Sequence, residues 1–151
     1  MSGSTTMTSA FGLEFHHLGL AVPDPAPASI FLAAQGYEST KTVFDPLQQA
    51  NLAMWRHASA PDIEVICPAT QGEGAVAAIL AVKPEGLVYH LCYTTPDLND
   101  SLERMEAAGL RPFEVRPPKP AVLFGGDLVS FYLVLGFGLI EIIEGAGRCV
   151  T

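Results

Sequence analysis

Two stretches of this chain occur twice. His17-Leu18-Gly19-Leu20-Ala21-Val22-Pro23-Asp24 is echoed 73 residues on by His90-Leu91-Cys92-Tyr93-Thr94-Thr95-Pro96-Asp97, and Ile63-Glu64-Val65-Ile66 is echoed 77 residues on by Ile140-Glu141-Ile142-Ile143. Such a repeat constrains the fold strongly, because each copy must build the same unit. A unit of about 70 residues buries too little surface to stand alone, so the two copies must share one core. Each copy carries a His and a Glu inside apolar, β-branched runs that read as strands. Equivalent residues of two copies meet near a pseudo-twofold axis, where two His and two Glu would form a cluster.

The rest of each copy fits the same plan. Phe15 to Val22 reads as a buried strand ending at Pro23-Asp24-Pro25, where prolines suit a first helical turn, and Gly36 ends the helix. Tyr37–Phe44, Gln49–His57 and Ile63–Cys67 read as three further strands, and the Ala-rich segment 72–82 as a linking helix. In the second copy, Leu87–Thr94 is a strand, Asp97 caps a helix over Leu98–Ala108, and Gly109 ends it. Leu110–Arg116, Leu128–Leu135 and Gly138–Glu144 are strands, while Pro117, Pro118 and Pro120 predict an extended loop. The expected class is α+β: two tandem βαβββ modules, about 14–82 and 86–145, forming a curved mixed sheet around a central cavity. They make one domain over 14–145, after a flexible Ser/Thr-rich leader at 1–13 and before a tail at 146–151.

Charge narrows the partners. A net charge of −8 argues against nucleic acid, which needs clustered Lys and Arg. Arg111, Arg116 and Lys119 form the one candidate patch for an anionic group. Cys67, Cys92 and Cys149 are odd in number and widely spaced, which favours free thiols and a cytoplasmic location. The longest apolar stretch, Phe131–Ile143, is broken by Gly136, Gly138 and Glu141, so no membrane span is expected.

Residues two apart on a strand share a face. The His17 face continues through Gly19 and Ala21, leaving open space beside the imidazole, and the His90 face through Cys92 and Thr94. Glu64 and Glu141 sit mid-strand, where a carboxylate is costly unless paired or bound to metal. A single strand His is usually a satisfied core residue, and a single Glu can face water. Four such residues in duplicated contexts instead point to one divalent ion, Zn, Co, Ni, Mn or Fe(II), held by His17, Glu64, His90 and Glu141. His16 has no counterpart, since Tyr89 stands at its place, and strict alternation sends it to the opposite face as a non-ligand. Cys92 reads as core, His57 as surface or pocket edge, and Asp24 and Asp97 as helix caps. Trp55, Ser130 and Tyr132 lie on strands that could line the cavity.

Four segments together carry a resemblance: His17-Leu-Gly-Leu-Ala-Val22, Asp62-Ile-Glu64-Val-Ile-Cys-Pro68, Tyr89-His90-Leu-Cys-Tyr93 and Gly138-Leu-Ile-Glu141-Ile-Ile-Glu144. They resemble the metal-ligand strands of the vicinal oxygen chelate superfamily, which includes glyoxalase I, extradiol dioxygenases, fosfomycin-resistance enzymes and methylmalonyl-CoA epimerase. The epimerases are the nearest subfamily, because their His, Glx, His, Glu pattern maps onto His17, Glu64, His90 and Glu141. Where epimerases carry a Gln-Gly-Val run near a second base, this chain reads Asp45-Pro-Leu-Gln48-Gln49-Ala-Asn51, with Asp45 the nearest carboxylate. The resemblance implies a metal-dependent isomerase or epimerase that moves a proton beside a carbonyl held on the metal. Glu141 would be the base, and Asp45 or a metal-bound water the proton donor on the opposite face. The implied substrate is an acyl thioester or an apolar carbonyl compound, with the low Lys and Arg content favouring the latter. A homodimer is compatible with the resemblance. The alternatives are a lyase, a cyclase or a natural-product tailoring enzyme on the same scaffold, or a ligand-sequestering protein without catalysis.

Overall fold

In the computed structural model, which describes residues 9–150, both copies follow one plan. The first comprises β1 (Glu14–Ala21), α1 (Pro25–Ala34), β2 (Glu38–Ser39), β3 (Val43–Asp45), β4 (Ala50–Arg56) and β5 (Asp62–Pro68). Helix α2 (Ala75–Val82) leads to β6 (Leu87–Thr95), α3 (Leu98–Ala107), β7 (Phe113–Pro120), β8 (Leu128–Val134) and β9 (Gly138–Glu144). Both β2 and β3 pair with β4, so they are two pieces of the strand expected over Tyr37–Phe44. The break falls at Thr40, whose hydroxyl oxygen accepts from the Met54 N–H at 2.9 Å and takes over a ladder bond.

The strands form one open mixed sheet in the order β2-β4-β5-β1-β6-β9-β8-β7, with β3 also on β4. At its centre β1 and β6 run antiparallel, flanked by the parallel pairs β1–β5 and β6–β9. The order outward from β1 matches the order outward from β6, which is the pseudo-twofold the repeat demands. The α+β class and the βαβββ plan are therefore present.

Asp24 accepts from the Ala26 N–H at 3.0 Å and Asp97 from the Asp100 N–H at 3.1 Å, so both aspartates cap helices as expected. Buried Leu98 and Met105 of α3 pack with Tyr132, Val134, Ile140 and Ile142, and Leu32 of α1 packs with Val22, Val65 and Cys67. A third cluster joins Leu52, Met54, Ile66, Val129, Phe131 and Ile143 to Leu123 and Phe124. That cluster surrounds the residues of interest.

One expectation needs correction. Pro117, Pro118 and Pro120 lie within β7 and not in a loop. β7 is an edge strand, where a missing N–H has no ladder partner to lose. The register shift between Arg116 and Lys119 passes over Pro117 and Pro118, while Pro120 lies opposite Leu128. The loop lies instead at 121–127. Residues 1–8 of the expected leader lie outside the described residues; Phe11 and Leu13 pack onto the α3 cluster. In the C-terminal segment the Gly147 N–H donates to Asp127 Oδ2 at 3.1 Å, and the Val150 N–H to the Leu123 carbonyl at 2.9 Å. Cys67, Cys92 and Cys149 are free thiols, and no helix among the described residues is long and apolar enough to cross a membrane.

Candidate metal centre

The sheet register builds the centre from two rows. In one, Glu64 on β5, Gly19 on β1 and His90 on β6 are neighbours; in the other, His17 on β1, Cys92 on β6 and Glu141 on β9 are neighbours. Each row is a ligand type, a small residue and a ligand type, and each draws on both modules. The open space at Gly19 serves His90 and not His17 as expected: a Cβ there would lie 2.1 Å from His90 Cε1.

All four outer side chains are at most 2 % exposed. His17 Nε2 lies 3.3 Å from Glu141 Oε1 and 3.7 Å from Glu64 Oε1, while His90 Nε2 lies 3.6 and 3.9 Å from the same oxygens. The two Nε2 atoms are 3.4 Å apart. Ligands about 2.1 Å from a tetrahedral ion stand about 3.4 Å from one another, so the spread suits a small cation. Glu64 Oε1 and Glu141 Oε1 are buried with no hydrogen-bond partner, and such orphans are costly unless something else compensates them. Two imidazoles and two carboxylates are a donor set for a borderline divalent ion. The expected ligands could therefore hold a divalent metal ion.

Burial alone would lower the His17 pKa, but the adjacent Glu141 and Glu64 carboxylates outweigh it and raise it to about 10. Burial likewise opposes the charge on Glu141, yet His90 and His17 hold that carboxyl well below its ordinary range. The Cys92 thiol is pushed well up, by burial first and then by Glu141, so it stays protonated as core.

His16 departs from expectation. Between Phe15 and His17 the register slips by one residue, because Phe15 faces Tyr93 and His17 faces Cys92. His16 is the extra residue, and the bulge turns it beside His17. Their Nδ1 atoms are 2.7 Å apart, and His16 Nε2 is 2.8 Å from the Gly147 carbonyl oxygen. His16, His17 and Cys92 also lie close enough to form a second His/Cys group. It is a poor metal site, because both His16 nitrogens are hydrogen-bonded and the thiol is protonated. Phe124 stacks on His17 with ring centroids 5.8 Å apart.

A cleft opens over Glu64 and Glu141, lined also by Asp45, Gln48, Arg116, Lys119, Phe124 and Phe131. It encloses about 370 Å³ of empty space including its mouth, with room beside the carboxylates for about one water. Asp45, 3 % exposed, accepts from the Leu47 N–H and from Gln48 Nε2, each at 2.9 Å. Arg116 lies over the Phe131 ring at 5.9 Å.

Residues 16–131 match the family model of the Glyoxalase/Bleomycin resistance protein/Dioxygenase superfamily. The chain belongs to that superfamily. Its fold is the superfamily's, and solved structures resemble it over most of their length. Methylmalonyl-CoA epimerase from Mycobacterium tuberculosis superposes with a TM-score of 0.69 at 20% identity, covering 87% of each chain. A Streptomyces coelicolor methylmalonyl-CoA epimerase in complex with 2-nitronate-propionyl-CoA gives 0.67 at 22%, covering 91% of this chain and 98% of that one. A hypothetical protein from Bacillus halodurans gives 0.73 at 17%, covering 92% and 99%. At such identities the likeness is one of fold. No curated protein matches in sequence.

Within this superfamily fold, several other expected residues fall away from the cleft. Trp55 packs with the α1 cluster and Tyr132 with the α3 cluster. Ser130 lies between the cleft residues Val129 and Phe131 and so faces the other side of β8. His57 stands at the end of α1, 3.1 Å from the Gln35 carbonyl oxygen. Arg111 is exposed and outside the cleft lining, so only two residues of the basic patch reach it.

Proposed function

We propose that this protein is a metal-dependent isomerase that moves a proton on the carbon next to a carbonyl, with an acyl thioester as substrate. The observation that carries the reading is the convergence of His17, Glu64, His90 and Glu141 on one point, with the Asp45 carboxylate opening into the same cleft. When bound, a divalent ion supplies Lewis-acid stabilisation of the charge that grows on a carbonyl oxygen. Glu141 takes the proton: the C–H bond breaks, its electron pair spreads onto the carbonyl, and a carboxyl O–H forms. Asp45, carrying a proton taken up from solvent, serves the other face: its O–H bond breaks as the new C–H bond forms, and Glu141 then releases its proton to solvent. The two hydrogen bonds that Asp45 accepts fix its direction, so the proton is delivered from one side. Arg116 and Lys119 hold an anionic part of the substrate at the mouth, which supports a charged thioester despite the low overall Lys and Arg content.

Incubation of metal-loaded protein with methylmalonyl-CoA in heavy water tests the reading. Deuterium should enter at the carbon next to the thioester. Glu141→Gln should abolish exchange, with metal content measured in the same sample. Asp45→Asn should stop epimerisation while leaving exchange on one face. If loaded protein gives neither exchange nor epimerisation, the epimerase reading fails. The apolar lining from Leu52, Leu123, Phe124, Val129 and Phe131 would then favour a tailoring enzyme with a neutral carbonyl substrate.

A further inference from the structure

We infer that His16 is a positioning residue that fixes the tautomer of His17, and that Gly147 of the C-terminal segment holds His16 in that role. The inference rests on the metal reading above.

With His16 neutral, the hydrogen bonds leave one consistent assignment. The Gly147 carbonyl can only accept, so His16 Nε2 must carry a proton and donate to it at 2.8 Å. Neutral His16 then presents a bare lone pair at Nδ1. His17 Nδ1, 2.7 Å away, must be the donor. That leaves His17 Nε2 free to bind an ion, and Nε2 is the atom facing Glu64, His90 and Glu141. A proton on Nε2 can be exchanged for a cation with no rearrangement behind the ring. Without His16, the imidazole would divide between two tautomers, and one of them places its N–H where the ion belongs.

Two independent observations support the role. Gly147 has φ +66°, and a Cβ there would lie 2.7 Å from His16 Nε2, so this close approach of backbone to imidazole needs glycine. The device also occurs in one module only. The β6 strand has its own bulge, since Gly19 faces His90 while Leu20 faces Val88, and the extra residue there is Tyr89. Both the Tyr89 hydroxyl and His90 Nδ1 lack partners. His17 is thus the oriented ligand of the pair, and His90 is held by packing against Tyr89 and Phe131.

The test is the zinc(II) affinity of the full chain, read by competition with a chromophoric chelator. His16→Phe keeps the ring volume and removes both hydrogen bonds, and it should weaken binding roughly 10- to 100-fold. His16→Asn places an oxygen where Nδ1 stood and should recover most of that loss. Tyr89→Phe, at the equivalent place in the other module, should leave affinity unchanged. Gly147→Ala changes only the docked tail and should weaken zinc several-fold even if His16→Phe folds poorly. Nitrogen-15 NMR of the zinc-loaded wild type should show His17 protonated at Nδ1 and ligated at Nε2. Affinities of His16→Phe and Gly147→Ala within twofold of wild type would overturn the inference and leave the metal reading intact. Equal losses in His16→Phe and His16→Asn, or ligation of His17 through Nδ1, would do the same. A wild type that binds no zinc would overturn both.

Discussion

Gly19 shows how little room the buried His/Glu cluster leaves. It has ordinary extended backbone, so its role is purely one of space beneath the His90 ring. Gly19→Ala should push that imidazole out of the cluster and lower metal affinity at least about tenfold. Circular dichroism should show the fold retained, and chelator competition should show the loss. The four candidate ligands were legible at this scale because the His and the Glu each occur twice, and a repeated His or Glu is hard to explain by chance. His16 was not. Strict alternation assigns facing only while pairing is regular, and one extra residue in β1 reverses the parity. Nothing local in Phe15-His16-His17 announces a bulge.

At the scale of elements, the edge strand β7 is both the least legible part and the one that shapes the cleft. Its prolines read as loop because proline cannot donate to a ladder, and whether a strand lies at an edge is a tertiary fact. As a strand, β7 carries Arg116 and Lys119 to the mouth of the cleft, whereas a loop would leave them unplaced. If they bind an anionic substrate, Arg116→Ala should raise KM for the thioester roughly tenfold with little change in kcat. The rise should shrink at high salt, because a charge contact at an open mouth is screened. Steady-state kinetics at two ionic strengths decides it. The helices were easier to read, since Asp24, Gly36, Asp97 and Gly109 mark their ends by local chemistry alone.

For the whole molecule, the buried cluster links pH, metal and stability. His17 has its pKa raised from 6.5 to about 10 in the folded, metal-free protein. The stability this contributes is fully present below pH 6.5 and is lost as pH rises toward 10. Glu141 works in the other direction: its depressed pKa contributes stability above about pH 4.5 that is lost in acid. Chelator-treated protein should therefore unfold at its highest temperature between these limits and at lower temperatures from pH 7 to 9. Metal binding displaces the His17 proton, so affinity should rise about tenfold per pH unit across the same range. At a free-ion concentration one hundred times Kd, the ion would add about 2.7 kcal/mol. Thermal unfolding with and without zinc should show the two curves diverging as pH rises. Parallel curves would mean that no proton leaves His17 when the ion binds.

The two rows of the centre draw equally on both copies, so the cage of donors is nearly blind to which side of a guest it meets. The rim is not. Asp45 ends β3 in the first module, while Arg116 and Lys119 occupy the corresponding strand of the second, so one bank of the cleft is acidic and the other basic. A guest with one charged end can then lie across the opening in only one sense, like a compass needle over a symmetric bearing. Duplication supplied the bearing; the needle's direction comes from residues that the chain carries once.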